Sequence, residues 1–276
     1  MKLRSEILLK ELLLFFLTLG SAIFVAYRTV FNFNKERAVV QPIEFSWATI
    51  LVFIGSFAIL SLIMSRFPKL AGVILRIFFL LIIFAGIQIS LASILPVPWD
   101  LLLALGIIAI MYLWPSVGIH NFAIILSLAG IAAILGLSIT PLIGLFILVG
   151  LSAYDIIAVY WTGHMVKMAK AMVSSGSVFG FLIPQRWEGF LARRSNIKIG
   201  EELMILGSGD VALPAIFASS LVSRSLIDAL VVTLFAAGGL FITHLLFVNQ
   251  PQRRAMAALP PIATMSIIGY AITLLL

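Results

Sequence analysis

The stretch "EELMILGSGDVALPAIFASSLVS", residues 201–223, sets one carboxylate, Asp210, in the middle of small and apolar side chains. Two glycines, Gly207 and Gly209, stand just before it. An ionisable group in such a run is costly wherever water is excluded, so it points to a functional site and calls for a partner. The rest of the chain says what the environment is and where the partner lies.

Of the 276 residues, 62% are hydrophobic and only 11% charged, and the mean hydropathy is +1.20. Soluble domains carry about 25% charged residues, so this composition belongs in a bilayer. Nine apolar runs approach the length of about 20 residues that a helix needs to cross the hydrocarbon core. They lie near 7–31, 46–65, 70–95, 99–114, 121–139, 141–164, 201–223, 226–248 and 255–276. The expected fold is therefore all-α and polytopic. The first run follows Lys2, Arg4 and Lys10 but is long, contains Glu11 and lacks a small-residue cleavage site, so it reads as a retained helix rather than a signal peptide.

Nine crossings put the termini on opposite sides. Of the 18 Lys and Arg, all except Arg28, Lys35, Arg37 and Arg224 then fall on the side of the N-terminus. The positive-inside rule predicts a cytoplasmic N-terminus and an external C-terminus. On this partition the net charge of +7 is a topology signal, and no nucleic-acid partner is expected. The absence of cysteine excludes a disulfide framework, a thiolate nucleophile and Cys-ligated metal.

One long interruption, 165–200, divides the chain into an N-terminal part of six spans (1–164), a cytoplasmic loop, and a C-terminal part of three spans (201–276). The loop is polar except for an apolar island at 178–183, which reads either as an edge for an unwound substrate or as a loop resting on the membrane surface. There is no internal repeat.

Most charges within or beside the runs sit near run ends. Lys10, Glu11, Arg76, Asp100, Glu201, Glu202, Arg224 and Asp228 read as interfacial caps or snorkelling chains. Two aspartates do not. Asp155, in "LVGLSAYDIIAVYWTGHMVK" (148–167), lies twelve residues before Lys167, and Asp210 lies twelve after Lys198. At about 1.5 Å per helical residue, both carboxylates stand about 15–18 Å from the charges of the same loop. Sequential helices usually pack together, so the spacing predicts that Asp155 and Asp210 face one another.

A facing pair of buried carboxylates cannot both ionise and so shares a proton. One then activates a water while the other protonates a carbonyl oxygen or leaving amine. That chemistry needs no metal and no cofactor, which suits a chain whose histidines, His120, His164 and His244, fall on separate elements. Midplane acids beside broken helices also occur in ion and solute transporters or channels, and hydropathy leaves that alternative open. A scaffold without activity gives the matched aspartates no role.

Three motifs together resemble the presenilin and signal peptide peptidase family of GxGD intramembrane aspartyl proteases. They are "YD" at Tyr154 and Asp155, "GSGD" at Gly207, Ser208, Gly209 and Asp210, and "AALP" at 257–260. The resemblance runs over the whole chain and implies a microbial presenilin homologue. Asp155 and Asp210 would be the catalytic pair, with Tyr154 beside the first. Ala258, Leu259 and Pro260 would be active-site support or substrate contacts. Its partners would be transmembrane peptides or single-span membrane proteins, met in the lipid bilayer. The predicted orientation matches the presenilin branch and implies substrates with external N-termini. Two departures stand out: Ser208 where presenilins have leucine, and Ala257 where the family's Pro-Ala-Leu motif begins with proline. The prepilin peptidases also carry a GxGD motif but cut at the membrane boundary, whereas Asp155 lies well inside an apolar run.

Overall fold

The computed structural model describes residues 5–36, 68–161, 178–193, 203–250 and 256–275. Among them are eight α-helices: α1 (Ser5–Glu36), α2 (Pro68–Ala92), α3 (Trp99–Leu113), α4 (Val117–Leu137), α5 (Pro141–Ile156), α6 (Ser208–Leu221), α7 (Leu226–Val248) and α8 (Leu259–Thr273). Two short strands, β1 (Gly180–Pro184) and β2 (Leu203–Gly207), form an antiparallel pair. The predicted span at 46–65 lies outside the described residues.

By length and hydropathy, four helical stretches suit a membrane crossing: Ser5–Asn32, Val117–Leu137, Pro141–Trp161 and Leu226–Val248. Their outward side chains are large and apolar, as lipid-facing positions require. The core is lined by small residues. α4 packs against α1, α2 and α6, and a Cβ added at Gly86 or Gly130 would collide with the backbone of the facing helix. Without water to expel between helices, close backbone approach of this kind is what holds membrane helices together. α7 packs along α8, and α5 contacts both α6 and α8.

Local signals explain several boundaries. Ser116 caps α4 by accepting from the Ile119 N–H at 3.2 Å, and Thr140 caps α5 from the Ile143 N–H at 3.4 Å, just ahead of Pro141. Ser225 caps α7. Arg224 at the preceding turn pairs with Asp228 at 3.2 Å, in keeping with their reading as end groups.

Two expectations change. Residues 201–223 do not form one helix: the five residues Leu203–Gly207 are a strand, and α6 begins only at Ser208. The apolar island is likewise not a loose surface loop. It forms β1, buried at all five positions and paired with β2 in the register Gly180↔Gly207 through Pro184↔Leu203.

Lys10, Glu11 and Asp100 do not snorkel outward as expected, because all three are buried in the protein. Lys10 Nζ donates to the Pro184 and Gln185 carbonyls at 3.0 and 2.7 Å. Glu11 Oε2 lies 2.7 Å from His244 Nδ1 on α7, and Asp100 accepts from Gln88 Nε2 at 2.9 Å. Each polar head has a hydrogen-bond partner on another element, although Glu11 Oε1, Asp100 Oδ1 and His244 Nε2 are left without one among the described residues. Breaking one side of such a pair leaves the other stranded. Glu11→Ala is therefore expected to destabilise the fold by about 3 kcal/mol, and a joint Glu11→Leu, His244→Leu replacement to recover most of it, as read by thermal melts in detergent.

Candidate active site

Asp155 lies one residue before the C-terminal end of α5, where the helix widens into a π turn over Ile157–Trp161. Such turns are uncommon and tend to mark sites where a side chain must be re-aimed. Asp210 lies in the first turn of α6. Both carboxylates are buried, with 6% and 8% of their surface exposed, and they interact electrostatically across the α5–α6 contact. The two aspartates singled out from the sequence therefore come together.

The third motif joins them. Asp155 Oδ2 accepts a hydrogen bond from the Leu259 N–H at 3.3 Å. Leu259 opens α8, so its N–H is one of those a helix leaves unpaired at its start. Pro260 and Pro261 follow without N–H groups, which makes Leu259 a principal donor at that terminus. The Ala258 carbonyl accepts from Thr243 Oγ1 on α7 at 3.2 Å and fixes the approach to the helix. Setting the first turn of a helix and touching the site are thus one function of this segment.

Gly207 and Gly209 differ in role. A glycine, having no side chain, can admit a neighbouring backbone. At Gly207 the close group is instead Asp210 itself, whose Oδ2 would lie 2.8 Å from an added Cβ. The Gly207 backbone is ordinary, φ −59 and ψ 137, so the requirement is for space and not for conformation. Nothing lies within 4 Å of the corresponding point at Gly209. Gly207→Ala is accordingly expected to push the Asp210 carboxylate aside and slow peptide cleavage about fivefold with the fold intact. Gly209→Ala should be the milder change and raise helix stability by up to about 1 kcal/mol; cleavage rates and melts of the two variants check the contrast.

Ser208 Oγ donates to the Phe179 carbonyl at 3.3 Å and ties the start of α6 to the segment leading into β1. Pro214 inside α6 lacks the N–H that would have bonded the Asp210 carbonyl, which loosens the helix one turn beyond the aspartate. Tyr154, in contrast to its neighbour Asp155, is 57% exposed. No described contact brings it into the site.

The sequence model of a family described as signal-peptide peptidase, presenilin aspartyl protease matches residues 14–276. The chain belongs to that family. It is an intramembrane aspartyl protease. Two crystal structures of a presenilin family intramembrane aspartate protease, in space groups C222 and P2, share the fold. The first is 24% identical with a TM-score of 0.59, covering 96% of this chain and 96% of that one. The second is 24% identical with a TM-score of 0.57, covering 95% and 96%. No curated protein matches the chain in sequence.

Sequence reasoning missed four contributors to this region. His120, Asn121, Lys10 and Thr243 all bond to the backbone of β1 or of the segment before α8. The available signal was polarity inside or at the edge of an apolar run, which does not by itself say what a side chain bonds to.

Proposed function

We propose that Asp155 and Asp210 are the catalytic pair of this protease and that they hydrolyse a peptide bond inside a transmembrane segment. The observation that carries the assignment is the convergence of two buried carboxylates with the Leu259 N–H, three elements far apart in sequence. With one proton between them, one carboxylate takes a proton from the attacking water as the other gives one to the substrate carbonyl. The tetrahedral intermediate then collapses as the leaving nitrogen is protonated, and the pair returns to its starting state. The Leu259 N–H orients Asp155 throughout by holding Oδ2.

A substrate helix shields its own carbonyls, so it must open before attack. The β1–β2 pair supplies an edge for the opened segment. β2 runs directly into Gly207 and ends three residues before Asp210. Its outer edge has no strand partner among the described residues. An extended substrate laid along β2 would pass the carboxylates with its backbone bonds satisfied.

The reading extends to nine spans, divided into 1–164, the cytoplasmic loop 165–200 and 201–276, with the N-terminus cytoplasmic and the C-terminus outside. The distribution of lysine and arginine supports this orientation. It favours single-span substrates whose N-termini are external. The test is cleavage of a single-span peptide by the purified protein in detergent, set beside ion flux in vesicles. Flux without cleavage would replace the proteolytic assignment of the aspartates with a transport one.

A further inference from the structure

β1 has two edges, and only one meets β2. The polar backbone groups of Gly180, Leu182 and Pro184 point to the other. Both groups of Leu182 are taken by one side chain: Asn121 Nδ2 donates to its carbonyl at 2.7 Å and its N–H donates to Asn121 Oδ1 at 2.9 Å. His120 Nε2 reaches the Gly180 carbonyl at 3.1 Å, and Lys10 Nζ donates to the Pro184 carbonyl at 3.0 Å. Asn121 therefore bonds to β1 as a neighbouring strand's peptide group would, from a buried position on α4.

The consequence follows from antiparallel geometry. Because Leu182 directs its N–H and carbonyl at Asn121, the opposed pair Leu182↔Ile205 exchanges no hydrogen bond. Ile205 must then present both of its groups to the far edge of β2. β2 is also the less buried strand, with Met204, Ile205 and Gly207 partly exposed where β1 is buried throughout. Among the described residues, the sheet is closed on the α4 side, and its other edge, beside the sequence that leads to Asp210, has no strand partner.

We propose that Asn121 is a positioning residue that sets which substrate peptide bond is cut. It locks β1 to α4; β1 fixes the register of β2; and a strand pairing with Ile205 is thereby placed at a defined offset from Asp210. The inference rests on the reading of Asp155 and Asp210 as the catalytic pair and of β2 as the docking edge. Strand registers slip in steps of two residues when the same face is kept, so a loosened hairpin delivers the peptide bond two residues away to the carboxylates.

The experiment maps cleavage products of a single-span peptide by mass spectrometry for the full-length protein in detergent. Asn121→Asp keeps the side-chain shape and the acceptor for the Leu182 N–H but loses the donor to its carbonyl; Asn121→Leu loses both bonds. The expected result is a spread or shift of the cut by about two residues, more complete in the leucine variant, with the near-isosteric Asn121→Asp carrying the test should the other fail to fold. Products identical to those of the unmodified protein, at whatever rate, would overturn the proposal, since a purely structural role lowers the yield without moving the cut. Asp210→Asn is measured alongside. If it still cleaves, the catalytic reading fails; if it does not and the Asn121 products are unchanged, the positioning role alone fails.

Discussion

Asp155→Asn and Asp210→Asn are each expected to lower cleavage of a single-span peptide by about 10³-fold or more, with the thermal midpoint in detergent staying near that of the unmodified protein. The size follows from chemistry: losing a general acid or base typically costs 10²–10⁴ in rate, and in the proposed mechanism each carboxylate serves in both roles over one turnover. Asparagine keeps the shape and can still accept from the Leu259 N–H, so the Asp155 change removes the proton transfer without removing the contact at 3.3 Å. The pair also dictates the pH profile. With both groups protonated there is no base, and with both ionised there is no acid, so the rate is expected to rise and then fall with pH. The decisive readout is the double variant. If the two singles and the double are equally inactive, the carboxylates act as one unit; substantial cleavage in either single variant would remove that aspartate from the mechanism.

The pair was legible because its cost was visible. A carboxylate deep in an apolar run has no local explanation, and Asp155 and Asp210 were left over once charges near run ends had been set aside. The same filter misplaced Lys10, Glu11 and Asp100. Their position near a run end looked sufficient, yet each has a partner on another element: His244 is separated from Glu11 by 233 residues, Pro184 from Lys10 by 174 and Gln88 from Asp100 by 12. A reading that weighs local context alone has no access to such pairs. The strand Leu203–Gly207 was hidden for a different reason. A run of five apolar residues is too short to show a period, and a buried strand and a buried helix then look alike. That misreading shifted the meaning of the GSGD motif. Set within a helix, its glycines would signal tight helix packing; set at a strand-to-helix junction, Gly207 makes room for the aspartate's own carboxylate.

The junction also yields a prediction that separates the two edges of the sheet. Ile205 directs its N–H away from β1, whereas Leu206, opposite Phe181, sits where the strands bond to each other. Proline is tolerated in a strand where the missing N–H would have faced outward. Ile205→Pro should therefore leave the β1–β2 pairing in place while removing one donor from the open edge, and Met204 before it is already in the extended conformation that a following proline requires. Losing that backbone bond, and crowding the approach with the ring, is expected to slow peptide cleavage about 10- to 100-fold, on the scale of 1–3 kcal/mol for a buried group left unpaired. Ile205→Ala keeps the N–H and should fall only a few-fold. Leu206→Pro should instead lower the thermal midpoint, because it breaks the pairing itself. If Ile205→Pro and Ile205→Ala cleave alike, the substrate does not bond to β2. If only the proline variant fails while folding holds, β2 is the strand that presents the substrate, and the path from Asn121 through Leu182 and Ile205 to Asp210 becomes the ruler by which the cut is placed.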